Sequence, residues 1–163
     1  MKKRMLVLCL LAAAVLLTAC GAPKTEETAG TPVKVDGEPE TLREKVNMVC
    51  EDATDLAPLT AEDLEDVLGI PAEDYQDFVF LQSEGTDGRE ILAIRAVGMD
   101  AAKRIAEQAE SYLERRRKET RNYAPEAYQL LSEAQVETKN LTVVLVVGKD
   151  GATEAKAILS PVN

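Results

Sequence analysis

The sequence predicts an α+β domain in two layers, with a four-stranded, mostly antiparallel sheet and helices packed on one face. Three observations predict this fold class. The signals for secondary structure follow the order helix–strand–strand–helix twice, turn residues join the strands of each pair, and the stretch "LTVVLVV" is apolar on both faces. Short turns between consecutive strands favour antiparallel pairing. A segment that is apolar on both faces predicts a central strand.

The first half of this pseudo-repeat begins with a helix over about 40–53. Pro58 then breaks the pattern, because the residue before a proline disfavours helix. A second helix is predicted to start after Thr60, a candidate N-cap, because Asp63 stands three residues later as in a capping box. Gly69 is expected to end this helix.

Two strands follow, over 77–83 and 89–97, joined by the turn residues "EGTDG". Asp100 is a candidate N-cap for a long helix from 101 to about 121. We expect Asp100 and Glu114 to form ion pairs on this helix with the basic residues four positions later, Arg104 and Lys118.

The second half continues with a short helix over 123–133, with Pro125 near its first turn. The stretches "AQVETK" and "LTVVLVV" then form a second hairpin around Lys139-Asn140. A closing helix is predicted over "DGATEAKAIL".

The chain begins with a basic segment and an apolar run of thirteen residues from Met5 to Leu17. As a helix this run would rise only about 20 Å, which is short of the ~30 Å hydrocarbon core of a membrane. The length is therefore typical of a signal peptide rather than of a spanning helix.

The apolar run ends in four residues that resemble the lipobox of bacterial lipoproteins, namely Leu17, Thr18, Ala19 and Cys20. The resemblance implies cleavage between Ala19 and Cys20 and a diacylglycerol on Cys20 Sγ, with N-acylation as a further modification. Two acyl chains on one residue meet the requirement for stable anchoring, which a single chain does not. An uncleaved anchor with an incidental cysteine is the alternative.

We therefore predict a signal peptide at 1–19, a lipidated N-terminus and flexible linker at 20–39, and a globular domain at 40–163. The linker is rich in Thr, Pro, Gly and acidic residues and lacks apolar periodicity. A partly ordered N-terminal arm is the alternative. The expected location is the outer face of the bacterial cell membrane, after export.

The formal net charge is −10, and without the three basic residues of segment 1–19 it becomes about −13, from 16 basic and 29 acidic side chains. Nucleic acids and anionic lipids both require basic surface on a protein that binds them. The composition therefore argues against nucleic acid as a partner, and it predicts that membrane attachment is covalent or hydrophobic.

Cys50 is the one cysteine expected in the mature domain besides Cys20, so no intramolecular disulfide is predicted. It adjoins an apolar helical stripe and is expected to be a semi-buried small hydrophobe. A catalytic thiol would require a histidine or local positive charge. The chain has no histidine, and Glu51 and Asp52 follow the cysteine.

Four segments resemble a family of bacterial lipoproteins that carry a domain of unknown function, DUF4358. They are "EDLEDVLGIPAEDYQDFVF", "REILAIRA", "YLERRRKETRNYAPEAYQLL" and the hairpin that ends in "TVVLVV". The resemblance covers about 56–159, and "NYAPE" is its most distinctive part. It implies membership of the family and no particular activity. Where the strand of the second hairpin more often begins Gly-Asn-Tyr, this chain has Lys139-Asn140-Leu141.

Neither a GxSxG elbow, a Walker loop, GxGxxG nor paired cysteines are found in the sequence. We expect no catalytic residues, no metal ligands and no cofactor besides the covalent lipid. Clustered acids allow a cation site or a carboxylate pair for glycan hydrolysis, but the favoured interpretation is solvated surface. The clusters are Glu62, Asp63, Glu65 and Asp66, and Glu73, Asp74 and Asp77.

The stretch "RRRKETR" is the strongest basic cluster in this acidic chain, and it precedes "NYAPE". One interpretation is a contact with phosphate headgroups, an anionic wall polymer or an acidic partner. The favoured one is cation enrichment at a helix C-terminus. The candidate basic patch consists of Arg115, Arg116, Arg117, Lys118, Arg121 and Tyr123.

The sequence thus favours a non-enzymatic, lipid-anchored binding or accessory module of the cell envelope. Its expected partners are the membrane, through the lipid, and an envelope protein or anionic wall polymer. An envelope hydrolase that uses acidic residues is the alternative, and a small-solute binding lipoprotein is the third hypothesis.

Overall fold

The computed structural model describes residues 41–161, which contain five α-helices and five strands. The helices are α1 Leu42–Val49, α2 Ala61–Leu68, α3 Met99–Thr120, α4 Pro125–Glu133 and α5 Gly151–Leu159. The strands are β1 Ala57–Pro58, β2 Tyr75–Gln82, β3 Glu90–Ala96, β4 Val136–Lys139 and β5 Thr142–Val147. The predicted signal peptide, lipobox and linker lie outside the described residues. Within 41–161, every helix is too short or too polar to span a bilayer.

The sheet is antiparallel throughout, in the order β1-β2-β3-β5-β4. The α+β class and the four predicted strands are confirmed, but the prediction of a four-stranded sheet is wrong. The additional strand, β1, has two residues and pairs with the edge of β2. Pro58 is tolerated there because an edge strand need not donate on both sides. The next residue, Leu59, continues the pairing by donating its N–H to Phe80 O at 2.8 Å.

Helices cover both faces of the sheet, so the prediction of one covered face is also wrong. The helices α2, α3 and α4 pack on one face and α1 and α5 on the other. The reason is visible in the strands, where alternate residues enter opposite cores and both sets are apolar. The first core includes Leu64, Phe80, Leu92, Ile105, Leu131 and Leu145. The second includes Leu42, Val46, Val79, Ile91, Val144 and Ile158.

The cap predicted for α2 is confirmed. Thr60 and Asp63 form a reciprocal capping box, and Gly69 ends the helix in the left-handed region at φ 71°. The first helix is shorter than the predicted 40–53. It starts after Thr41, which forms its own capping box, and it ends at Val49.

The long helix α3 starts two residues before the predicted position. Gly98 is its N-cap, and Asp100 lies in its first turn. The predicted partner of Asp100, Arg104, instead forms an ion pair with Asp74, which a sequence pattern cannot indicate because the two residues are 30 positions apart. The Glu114–Lys118 pair, in contrast, is present at 3.9 Å.

The second hairpin turns at Asn140, whose φ of 54° is the left-handed conformation that asparagine tolerates better than most residues. Strand β5 is interior, as its two apolar faces predict, but β3 rather than β5 is in the middle of the sheet. Each of these two strands therefore has two hydrogen-bonded neighbours, and their ends define the two ends of the sheet.

Candidate functional site

A cleft of about 1120 Å³ lies at the end of the sheet where β3 starts and β5 ends. We call it the acidic cleft. Its walls come from the segment after α1, the β2–β3 turn, α4, and the turn between β5 and α5. Seven carboxylates line it, and its cations are Arg89 and Lys149. The carboxylates are Glu51, Asp52, Asp87, Glu126, Glu133, Asp150 and Glu154.

Arg89 fixes the shape of one wall of the acidic cleft. Its Nη1 contacts Asp52 Oδ2 at 2.6 Å, and its Nε contacts Asp87 Oδ2 at 2.8 Å. All three side chains are partly exposed, so these pairs add little stability by themselves. They do hold the segment after α1 against the start of β3, and they leave five of the seven carboxylates without an ion pair in the described chain.

The pKa values of two carboxyl groups in the acidic cleft are shifted in opposite directions. Burial and the charges of Asp52 and Asp150 raise the pKa of Glu154. Burial alone would raise the pKa of Asp87 too, but hydrogen bonds from Ser83 and Arg89 outweigh it, so that this pKa is lowered. The cleft is therefore lined by one carboxyl group, that of Glu154, which retains its proton more readily, and by another, that of Asp87, which loses it more readily.

A buried carboxylate network lies next to the acidic cleft, on the side of α3. Glu90 is fully buried at the start of β3, and its Oε2 accepts hydrogen bonds from Tyr112 at 2.7 Å, Gln82 at 3.1 Å and Arg116 at 3.3 Å. Its Oε1 has no partner among the described residues. Burial raises the pKa of Glu90, although these three partners oppose the shift. Sequence reasoning missed this group, because "REILAIRA" carries only the pattern of a strand.

Three arginines of the candidate basic patch contact other elements of the domain. Arg116 reaches Glu90, and Arg117 donates to the carbonyls of Leu131 at 2.8 Å and Ala134 at 2.7 Å, at the end of α4. Arg115 donates to a carbonyl of the last turn of α2. Cations and carbonyls at helix C-termini attract one another, so these three side chains connect α3 to the sheet, α4 and α2.

The other residues of the patch face solvent. Lys118 is paired only with Glu114, Arg121 is exposed, and Tyr123 is 74% exposed. The predicted patch therefore has two halves. Three arginines contact other elements of the domain, and the exposed half consists of Lys118, Arg121 and Tyr123.

The two acidic clusters predicted from the sequence are dispersed. Asp63 caps α2, Asp74 pairs with Arg104, and Asp77 accepts from the Leu42 N–H at 2.9 Å. Hydrogen bonds with Thr60 lower the pKa of Asp63. A hydrogen bond from Arg104 lowers the pKa of Asp74. The other members, Glu62, Glu65, Asp66 and Glu73, are exposed. Across 41–161, acids and cysteines do not come together in a set of three that could hold a metal ion.

Cys50 is a core residue rather than a semi-buried one, with 1% of its surface exposed. Burial, followed by the charges of Glu154 and Asp52, raises its thiol pKa to about 12. A thiol with that pKa is almost entirely protonated at neutral pH and is a poor nucleophile.

Neither the curated proteins nor the solved structures include a match to this chain. The sequence model of one family does match, over residues 49–148, and this family is described as "Domain of unknown function (DUF4358)". The matched region contains the whole sheet, α2, α3 and α4, and most of the residues that line the acidic cleft. It covers more than half of the chain, and the protein therefore belongs to the DUF4358 family.

Proposed function

We propose that this protein is a non-enzymatic, lipid-anchored binding module on the outer face of the bacterial membrane, and that its acidic cleft holds a basic segment of another envelope protein. The observation that carries the proposal is the acidic cleft itself. Seven carboxylates surround one recess, and only two cations offset them. A concave surface of one charge sign attracts oppositely charged partners and accelerates their association.

The anchoring part of the proposal rests on the lipobox-like Leu17, Thr18, Ala19 and Cys20. It is tested by metabolic labelling with a fatty-acid probe, followed by fractionation of the cells. The label is expected on the wild-type chain and absent from Cys20→Ala, which should also leave the membrane fraction. Labelling that persists in Cys20→Ala would contradict the anchor.

The binding part is tested by crosslinking in cells that carry the anchored protein. Glu126 and Glu133 are exposed cleft residues on α4, and their joint replacement by glutamine removes two charges from the cleft. The matched control is Glu110→Gln with Glu119→Gln, which removes two exposed charges from α3 outside the cleft. We expect the cleft variant to lose the crosslinked partner and the control to keep it.

A third variant, Lys118→Gln with Arg121→Gln, tests the exposed half of the basic patch. A partner set that changes in this variant and stays constant in the cleft variant would move the interaction to the patch, and would favour an acidic protein or an anionic wall polymer as the partner. That result would contradict the acidic cleft as the binding surface.

The opposite pKa shifts of Glu154 and Asp87 favour a second candidate function, an envelope hydrolase. Two carboxyl groups with separated pKa values can divide the roles of acid and of base or nucleophile. Turnover of envelope glycans that disappears in Glu154→Gln, while the variant stays folded, would establish this function and overturn the non-enzymatic one. Binding of a small cationic solute in the cleft, without a protein partner, would instead favour the third hypothesis, a solute-binding lipoprotein.

A further inference from the structure

We propose that a second recess, at the opposite end of the sheet from the acidic cleft, is a binding site for a phosphate-ester anion. This recess has a volume of about 350 Å³ and lies where β3 ends and β5 begins. We call it the basic pocket. Its charged lining residues are Lys45, Arg95 and Lys139, and no acidic residue lines it. Such a segregation of cations is unexpected in a chain with a net charge of −10.

Strand register brings the basic residues together. Arg95 on β3 is opposite Thr142 on β5, and Thr142 is opposite Lys139 on β4. Residues that are directly opposite in an antiparallel sheet point to the same face, with their Cβ atoms about 5 Å apart. The three side chains therefore form a row across three strands, on the face that α1 and α5 cover. Lys45 lies on α1, which packs on this face of the sheet, and its Nζ donates to Ser160 O at 2.6 Å.

Arg95 is the central group of the basic pocket. It is partly buried on the middle strand of the sheet, and within residues 41–161 its side chain makes neither a hydrogen bond nor an ion pair. Asp77 is directly opposite Arg95 on β2, but the two side chains do not form an ion pair in the described chain, and Asp77 Oδ2 accepts from the N–H of Leu42. The donors of this guanidinium are therefore not occupied by protein acceptors and are available to an anionic ligand. Lys139 is likewise unpaired in the described chain.

The chemistry of these groups indicates a phosphate ester. A guanidinium presents a planar fork that binds two oxygens of a phosphate, and ammonium groups add unspecific charge. The volume of the pocket is at the small end of the range for ligand sites, which suits a phosphate with one attached glycerol or sugar. Thr41 and Thr142 also line the recess. The Thr41 hydroxyl accepts from the Glu44 N–H, and a threonine hydroxyl can still donate a hydrogen bond to an ester oxygen.

Two sources can supply this anion, a soluble phosphate ester or the headgroup of a phospholipid. The chain enters the described fold at Thr41, which itself lines the basic pocket. If Cys20 carries the lipid, about twenty residues separate the pocket from the membrane, and a flexible linker of that length reaches roughly 25 Å. Headgroups would then be within reach. Only this choice of source depends on the proposed anchor, while the pocket does not depend on it or on the acidic cleft.

The test uses the full chain in neutral detergent, titrated with glycerol phosphate and with inorganic phosphate and followed by phosphorus NMR. We expect saturable binding that weakens at least about tenfold in Arg95→Gln, since a charge-assisted hydrogen bond to an anion contributes that much affinity. The exposed Lys139→Gln should weaken binding less, and it serves as a second variant that does not touch the middle strand. Lys103→Gln is the matched control, because Lys103 is 79% exposed on the other face of the sheet.

The proposal is overturned if neither phosphate compound binds, or if Lys103→Gln weakens binding as much as Arg95→Gln, which would indicate unspecific attraction. Reconstitution in vesicles then identifies the source. With phosphatidylglycerol in the membrane, competition by headgroups should weaken glycerol phosphate binding relative to phosphatidylcholine alone. Equal binding in both membranes would assign the pocket to a soluble ester. The crosslinking of the acidic cleft is expected to be unchanged in Arg95→Gln, so the two proposals can fail separately.

Discussion

The two ends of the sheet differ in the sign of their charge and in the elements that carry the charged residues. At the acidic cleft, most charged groups come from turns and helix ends, and Arg89 pairs with two of the acids. At the basic pocket, the charges of Arg95 and Lys139 come from the strands themselves. Net charge is a property of the whole chain, and it does not predict how charge is distributed over a surface. An acidic protein can therefore carry a well-defined basic site.

Arg116 and Arg95 show the same contrast in single residues. Arg116 contacts a fully buried carboxylate at 3.3 Å and lies over the ring of Tyr112, so a defined set of partners holds it. Arg95 is partly buried without a partner in the described chain. The first arginine therefore stabilises the fold, whereas the second is available for a ligand. Four experiments test this difference between the two ends.

The largest effect is expected from Gly151→Ala, which disrupts the acidic end without changing its charge. A Cβ at Gly151 would lie 2.5 Å from the carbonyl oxygen of Val146, and backbone cannot move aside as a flexible side chain can. We expect the free energy of unfolding, measured by urea denaturation, to fall by about 3 kcal/mol. Gly148→Ala is the control, since its Cβ would meet nothing closer than Glu154 Oε2 at 3.9 Å. Equal stability of the two variants would contradict this packing of α5.

Arg116→Met and Arg95→Met compare the two ends directly. Above the pH at which Glu90 ionises, Arg116→Met is expected to cost up to about 3 kcal/mol of unfolding free energy, because it leaves the buried carboxylate of Glu90 without its charged partner. Arg95→Met should change stability by less than about 0.5 kcal/mol, because it breaks no hydrogen bond or ion pair among the described residues and keeps an unbranched side chain. The deficit of Arg116→Met should shrink on acidification, as Glu90 becomes protonated. Equal costs in the two variants would contradict the assignment of Arg95 as a free cation.

Glu90→Gln is expected to change the pH dependence of stability. The pKa of Glu90 is raised in the folded chain, so the folded state holds the proton more tightly than the unfolded state does. Stability should therefore fall as pH rises from the unfolded pKa toward the folded one, by up to about 1.4 kcal/mol per pH unit. Glu90→Gln removes this contribution, and denaturation over a pH series should give a flatter curve. A slope identical to that of the wild type would show that Glu90 is ionised without cost.

A modest effect on stability is expected from Cys50→Ala, about 1 kcal/mol for the loss of one buried sulfur atom. The thiol itself should react with an alkylating reagent at pH 8 only after the chain is unfolded, because its native pKa is about 12. The Cys50→Ala variant identifies the labelled residue. Rapid labelling of the native chain would indicate that the acidic end opens.

Local signals in the sequence predicted most of the helices and strands. The predictions that were wrong concern features that depend on tertiary contacts. The capping box of Thr60 and Asp63 and the stop at Gly69 are local and were found. The strand β1 was missed because two residues that include Pro58 carry no strand pattern. The covered second face could have been inferred, since "TVVLVV" is apolar at every position but one and "EILAIRA" at every position but two.

The candidate sites were less predictable than the fold. The run of basic residues at 115–118 is continuous in sequence, but a helix directs successive side chains about 100° apart, so that its arginines reach different partners. Both recesses are assembled from residues distant in sequence, such as Lys45 with Lys139, or Asp52 with Glu126. Sequence spacing carries no signal for such pairs. The lipobox-like stretch 17–20 is local, so a sequence pattern can indicate it, but it lies outside the described residues and the lipidation of Cys20 stays a prediction.

The layer formed by α1 and α5 has a consequence for how this domain can be shortened. The family match runs from residue 49 to residue 148, so α5 and nearly all of α1 lie outside it. A chain cut at those limits would keep a continuous sheet but would expose its second apolar face to water, including Val79, Ile91 and Val144. Exposed sheet surface of that kind promotes aggregation. The unit that keeps both faces of the sheet covered is thus longer than the segment that matches the family.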